Sequence, residues 1–211
     1  MAASESRNAT NSASPTKDAG KTSAPRRRAD ARRNEEALLE AAKIVFARSG
    51  VDAPIREIAA QAGVGLGTLY RRFPTRADLV AAVFRREVDA CADAAEPLAA
   101  ERGPADALAA WLMLYTRFLA TKQGLAAALH SGDPAFATLP DYFRNRFEPA
   151  LSMLLNAAAD AGEVRADVAP YDLLRAIGNL AVSTGEDGAA HTERMVMLLL
   201  DGLRHGAATP R

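Results

Sequence analysis

Apolar residues recur along this chain at helical spacing. Leu38, Ala42, Val45 and Phe46 fall at i, i+4, i+7 and i+8, one stripe of a helix whose pattern begins at Asp30 or Asn34. Ser49-Gly50 stops it, with Gly50 suited to the left-handed position after a helix. Pro54 suits the first residue of a second helix, where its missing N–H would be unpaired anyway. Ile55, Ile58, Ala59 and Ala62 give that helix one apolar face, and Gly63 closes it. Segment 66–73 is a short third helix that ends before Pro74. Thr75-Arg76-Ala77-Asp78 has the form of a capping box ahead of a fourth helix. Leu79, Val80, Val83, Phe84 and Val88 carry that helix to about residue 96.

Beyond Pro97 the pattern stays helical. Segment 105–121 carries Leu108, Trp111, Leu112, Tyr115, Phe118 and Leu119 on one broad face. A loop around Ser131-Gly132-Asp133-Pro134 precedes a long helix over 141–161, and further helices are predicted over 170–184 and 191–204. No segment alternates with period two between turn signals, so the reading is all-α. Residues 1–30 form a basic arm expected to be disordered, 31–90 a small helical front end, and 91–211 a larger helical body.

Composition refines this picture. Aromatics make up only 6% of the 211 residues, so alanine and leucine must fill most of the interior. The net charge of zero hides a gradient: residues 1–33 hold eight Lys/Arg against three carboxylates, while 91–211 hold ten against fifteen. A basic front end on an acidic body suits an anionic partner for the front end alone. The run Arg26-Arg27-Arg28 reads equally as a solubilising segment or as an arm that touches phosphates. Cys91 is alone, and His130, His191 and His205 are far apart, so neither an internal disulfide nor a metal cluster is expected. No run approaches the length of a membrane span and the N-terminus lacks a secretory core, which points to the cytoplasm and to no membrane partner.

The stretch Gly-Val-Gly-Leu-Gly-Thr-Leu-Tyr-Arg-Arg-Phe, residues 63–73, carries the most chemistry. A phosphate-cradling glycine loop needs a strand before it, yet a helix precedes this one, and neither GxGxxG nor GxxxxGK[ST] is matched. As a helix-turn-helix, the same letters make sense. Glycine permits the reversal and the close approach of backbone to a duplex, while Thr68, Tyr70, Arg71 and Arg72 offer donors to phosphates and base edges. An ordinary packing helix stays open, because Leu66, Leu69, Tyr70 and Phe73 also share one face.

The letters resemble the DNA-binding domain of the TetR family of bacterial transcriptional regulators over about residues 31–90. The resemblance rests on Ala41-Ala42, Phe46 and Gly50, then Ile58-Ala59 and Ala62-Gly63-Val64, then Gly67-Thr68-Leu69-Tyr70 and Phe73, then Arg76 and Leu79. It implies a helix-turn-helix over 54–73 that binds double-stranded DNA. Thr68, Tyr70 and Arg76 match phosphate-contacting positions; Arg56, Leu66, Gly67 and Arg72 match positions that face base edges; Arg71 and Thr75 complete the expected surface. Ile58, Val64, Leu69 and Phe73 match packing positions. The chain departs from the pattern at Ala53-Pro54-Ile55, which lacks a capping hydroxyl, and at Gly65, where a serine cap is common.

For the body, the resemblance implies a homodimer that binds a palindromic operator and a small-molecule effector of unknown identity, with repression the commoner mode. The connector 161–167 also resembles one C-terminal subgroup of the family. Tyr171, Leu174, Ile177, Ala181, Met195, Leu198 and Leu199 are the expected interface, with Leu180, Met197 and Leu203 beside them and an intramolecular core as the competing use. Trp111, Tyr115, Phe118, His130, Tyr142, Phe143 and Phe147 are the expected pocket, with Phe136 and Met153 next in line; a plain core competes here too. No nucleophile–base pair or cofactor loop supports an enzyme, and Asp160 with Glu163 reads as solvated charge at a helix end. No cofactor is expected. A helical module that binds protein instead of DNA is the remaining class, and the arginines of the front end argue against it.

Overall fold

The computed structural model describes residues 23–120, 132–181 and 188–205. Among these residues the chain is wholly helical: α1 Ser23–Ser49, α2 Ile55–Gln61, α3 Leu66–Arg72, α4 Arg76–Asp93, α5 Ala95–Glu101 and α6 Pro104–Ala120 come first. A 3-10 turn at Pro134–Phe136, then α7 Leu139–Asp160, α8 Pro170–Leu180 and α9 Gly188–His205 complete it. His130 and residues 1–22 lie outside the described residues.

Several boundaries differ from expectation. α1 starts at Ser23, so residues 23–30, expected within a disordered arm, are helical. Pro25 sits in the first turn, where proline is tolerated, and the alanines and arginines after it favour helix. Pro54 is the N-cap of α2, extended at ψ 126°, not its first helical residue. The fourth helix stops at Asp93, and Pro97 lies within the first turn of the separate α5. The capping box is present: the Asp78 N–H donates to Thr75 Oγ1 at 3.0 Å, and the Thr75 N–H donates to Asp78 Oδ2 at 3.0 Å.

Three apolar clusters hold the molecule. In the head, Leu38, Ala42 and Val45 of α1 pack with Ile58 of α2, Leu69 of α3, and Leu79 and Val83 of α4. In the body, Val88, Cys91 and Ala92 of α4 pack with Trp111 and Leu112 of α6, Leu151 and Leu154 of α7, Ile177 of α8 and Val196 of α9. Between them, Val80, Ala81 and Phe84 of α4 meet Phe136 and Leu139. One helix thus supplies side chains to all three clusters.

Polar contacts between helices tie the same parts together. Asp89 of α4 accepts from Tyr142 Oη and from Arg146 Nε, each at 2.7 Å, and Asp93 accepts from Arg146 at 2.5 Å. Desolvation, followed by the bond to Asp89, pushes the Tyr142 phenol up to about 12, so it stays a donor across the working range of pH. Arg85 lies over the Tyr142 ring, 5.9 Å from its centroid, and donates to Thr138 Oγ1 at 3.0 Å. Glu163, read from sequence as solvated charge, is exposed and also accepts from the Ala105 N–H at 2.7 Å, so it caps the first turn of α6.

Candidate functional site

The reversal between α2 and α3 is built from backbone. Gly63 takes φ +67°, a left-handed conformation that L side chains rarely adopt. Its N–H donates to Ala60 O at 3.1 Å, and the Val64 N–H donates to Ala59 O at 3.0 Å, which closes α2 in a Schellman motif. Gly65 then enters α3 with φ −73° and no side chain to cap it, as its letter implies. Leu69 (1% exposed) and Phe73 (3%) anchor the inner side of α3 in the head core.

The outer side of α3 faces solvent. Leu66 is 45% exposed and Tyr70 50%, and Gly67 and Arg71 are exposed with them. The packing-helix alternative therefore accounts only for the inner side. Large apolar groups left open next to guanidinium groups suit a surface that meets base edges and phosphates together. A Cβ at Gly67 would meet nothing within 4 Å inside the protein, so no internal contact requires glycine there. The space it leaves lies on the outside, where a backbone can come close to a groove.

The arginines divide by what they touch. Arg71 curls along α3, its Nε donating to Gly67 O at 3.0 Å and its NH2 donating to Thr68 Oγ1 at 3.2 Å. Arg72 pairs with Glu35 of α1, a partner missed in the sequence, and lies over the Phe73 ring at 5.2 Å. The hydrogen bond to Glu35 holds its pKa above the usual arginine value. Arg56 is exposed on α2. Arg76, expected at phosphate, turns inward, and its NH1 donates to Val51 O and Ala53 O, both at 2.7 Å. In this arrangement it fastens the α1–α2 loop to the start of α4. The Thr75 hydroxyl is likewise committed, donating to Asp78 Oδ2 at 2.8 Å while it accepts the Asp78 N–H.

In the body, the expected pocket residues separate. Trp111 is fully buried, and its Nε1 donates to Cys91 O at 2.8 Å, so it is core and not lining. Phe118 is buried in the same aromatic cluster, Phe136 belongs to the joint between head and body, and Tyr142 faces α4. Tyr115, Phe143 and Phe147 do line a cleft of about 360 Å³ between α6, α7 and α8. Arg144, Tyr171, Arg175 and Gly178 line it too, with Asp141 and Asn179 among the others, and the sequence did not single them out for it.

The expected interface residues separate as well. Leu174 and Ile177 are buried within the protomer, because the apolar stripe of α8 is spent on its own body. Tyr171 lines the cleft instead, and Ala181 and Met195 are half-buried. Leu198, by contrast, is 64% exposed and Met197 46%. Leu198 and Leu199 edge an open groove of about 370 Å³ between α8 and α9, beside Asp172 and Ala176.

A helix-turn-helix head fused through one shared helix to an all-helical body is the architecture of a DNA-binding regulator. Comparison with known proteins agrees. Residues 38–83 match the family described as bacterial regulatory proteins, tetR family, and residues 103–205 match the SbtR-like transcriptional regulator C-terminal domain. A TetR transcriptional regulator from Streptomyces coelicolor is 39% identical with a TM-score of 0.66, over 81% of this chain and 98% of that one. A TetR regulatory protein from Mycobacterium vanbaalenii is 37% identical with a TM-score of 0.64, over 84% and 98%. An HTH-type transcriptional regulator of Staphylococcus aureus is 38% identical over 63 residues, 29% of this chain, and the match spans about a third (34%) of that protein's length. The chain belongs to the TetR family: it is a DNA-binding transcriptional regulator.

The two inward bonds of Arg76 make a test. Arg76→Ala is expected to lower unfolding stability by about 2 kcal/mol, the scale of hydrogen bonds from a charged group. Arg56→Ala, on an exposed side chain, is expected to leave stability within about 0.5 kcal/mol. Urea denaturation followed by circular dichroism measures both.

Proposed function

We propose that the protein is a homodimeric cytoplasmic repressor that holds a palindromic operator and releases it when a small-molecule effector enters the body. The observation that carries this reading is the two-sided α3: Leu69 and Phe73 sealed inside, with Leu66, Gly67, Tyr70 and Arg71 turned to solvent. One such helix in one major groove reads only a few base pairs. A twofold pair reads two half-sites, about 34–36 Å apart or a multiple of it. Tyr70 and Thr68 serve phosphate, Arg71 reaches phosphate from its position along the helix, and Leu66 and Gly67 lie against base edges. Arg56 adds a cation from α2, and Arg72 does so once it leaves Glu35.

The exposed Leu198 and Met197, with the groove between α8 and α9, supply the apolar patch that a second copy would cover. Release follows from the connection between the body and α4. Tyr142 and Arg146 of α7 hold Asp89 and Asp93 of α4, while Phe143, Arg144 and Phe147 of the same α7 line the cleft. A ligand that favours a different seat for α7 draws α4 with it and alters the spacing of the two α3 helices. Release requires that the ligand bind the two spacings unequally. That a protein of this fold takes a small molecule is supported by RolR, solved in complex with resorcinol, which is 22% identical with a TM-score of 0.53 over 87% of this chain and 97% of that one.

Two measurements test this. Binding to genomic fragments selected by the protein, followed by fluorescence anisotropy, is expected to weaken steeply with salt, by a log–log slope of about −0.9 per phosphate neutralised. Tyr70→Ala weakens it at every salt concentration, and Arg71→Ala makes the slope shallower by about one. A flat salt response contradicts the reading. In sedimentation analysis Leu198→Glu is expected to convert dimers to monomers and to weaken operator binding in step. Dimers that persist would place the interface elsewhere.

A further inference from the structure

The cleft between α6, α7 and α8 has a chemical bias, and on the reading of the body as an effector domain we infer that it takes a planar aromatic carboxylate. Its inner wall is aromatic: Tyr115, Phe143 and Phe147 line it, and the Tyr115 and Phe147 rings meet edge to face at 5.1 Å. Edge-to-face walls present both ring faces and ring edges to a flat guest. The opening is cationic. Arg144 lies over the Tyr171 ring at 4.4 Å and Arg175 lies 5.8 Å from the same ring, so both guanidinium groups gather around one lip.

These two cations are not equally committed. Arg144 donates to Glu148 Oε2 at 2.9 Å and also feels Asp141, the one carboxylate in the lining. Arg175 has no carboxylate within ion-pair distance among the described residues, and it lies beside the Tyr171 ring. An anion entering over the aromatic wall finds in Arg175 a planar, two-pronged donor still to be used, with the exposed Asn179 beside it in the lining. A positively charged guest would meet two guanidinium groups at the entrance, Arg144 offset by Glu148 and Asp141 but Arg175 by no ion-paired carboxylate among the described residues. At about 360 Å³ the cleft lies in the range of about 300–1,000 Å³ typical of small-molecule sites, near its lower end. That favours a compact guest of one or two rings.

The molecule carries its own reporter. Trp111 is the single tryptophan of the chain. Its ring lies parallel to that of Tyr115 at 5.7 Å between centroids and edge-on to Phe147 at 6.1 Å. Both neighbours line the cleft, so a guest stacked on them alters the surroundings of the only indole without touching it. Gly178 supplies the control. It lines the cleft from a helical position where an added Cβ meets nothing within 4 Å, so Gly178→Leu starts its side chain in open space, projects it into the cleft and improves the helix.

The full chain, free of DNA, is titrated with benzoate and 2-naphthoate and with their uncharged partners benzamide, 2-naphthamide and 2-naphthol, reading Trp111 emission and calorimetric heat. The carboxylates are expected to bind at least about tenfold tighter than the amides or the naphthol, as a charge-assisted contact allows. Arg175→Gln is expected to erase that preference, and Gly178→Leu to abolish binding of every probe while the protein stays folded by circular dichroism. Equal affinity for acid and amide, tighter binding of the naphthol, titrations unchanged by Gly178→Leu, or neither heat nor emission change with any probe would each overturn the inference. Because no DNA is present, the outcome is independent of operator release. Carboxylates that bind this cleft yet leave operator binding untouched would refute the release mechanism and leave the cleft's assignment standing.

Discussion

The constraint on which the molecule depends is the shared burial of α4. A helix that packed only in the head would leave the reading surface free to swing, and one that packed only in the body would leave α1 to α3 without a floor. α4 does neither. Leu79 and Val83 close the head, Val88 and Ala92 close the body, and Phe84 with Val80 fills the joint against Phe136 and Leu139. Because close-packed interiors resist gradual deformation, a shift of the body either moves α4 or breaks apolar contacts on one side of it. The polar clamp from Tyr142 and Arg146 to Asp89 and Asp93 adds direction, since hydrogen bonds, unlike apolar packing, hold one geometry.

The head obeys the same economy. Seven residues of α3 cannot hold a helix by propensity alone, so tertiary anchors must do it. Leu69 and Phe73 fasten one side, the left-handed Gly63 sets the angle of entry, and Arg76 ties the preceding loop to α4 from inside. With the helix held from behind, its outer residues carry no structural duty. This division lets an exposed Leu66 and Tyr70 stand on a stable element, where their hydration cost is recovered only when something covers them.

Much of this was legible from letters, for identifiable reasons. The alternation of apolar positions at three and four residues marked α1, α2 and α4, and Thr75 with Asp78 marked a cap, because both signals are local. Inner and outer sides of α3 were legible once Leu69 and Phe73 were taken as packing positions. Direction of long side chains was not. Nothing in the sequence says that the guanidinium of Arg76 reaches back to two carbonyls of the α1–α2 loop, or that Arg72 meets Glu35 some 37 residues away. α9 was ambiguous for another reason: Met195, Met197, Leu198, Leu199 and Leu203 spread apolar letters around most of its circumference, so periodicity could not say which of them the protomer itself buries. The aromatic residues of α6 and α7 raised the same difficulty, and three-dimensional packing divided them into core (Trp111, Phe118) and cleft wall (Tyr115, Phe143, Phe147). The cations at the lip, Arg144 and Arg175, come from helices far apart in sequence, which no spacing rule brings together.

The most direct test of the shared-helix account is native-state amide hydrogen exchange along α4, read residue by residue in the absence of DNA and effector. If α4 joins head and body into one cooperative unit, the amides of Val80, Phe84 and Val88 exchange with the same opening free energy, equal to that of Leu112 in α6 and Val45 in α1. An opening in which Val80 and Val45 exchange together at clearly lower free energy than Val88 and Leu112 would show a head that loosens by itself, and would contradict the claim that α4 couples the two.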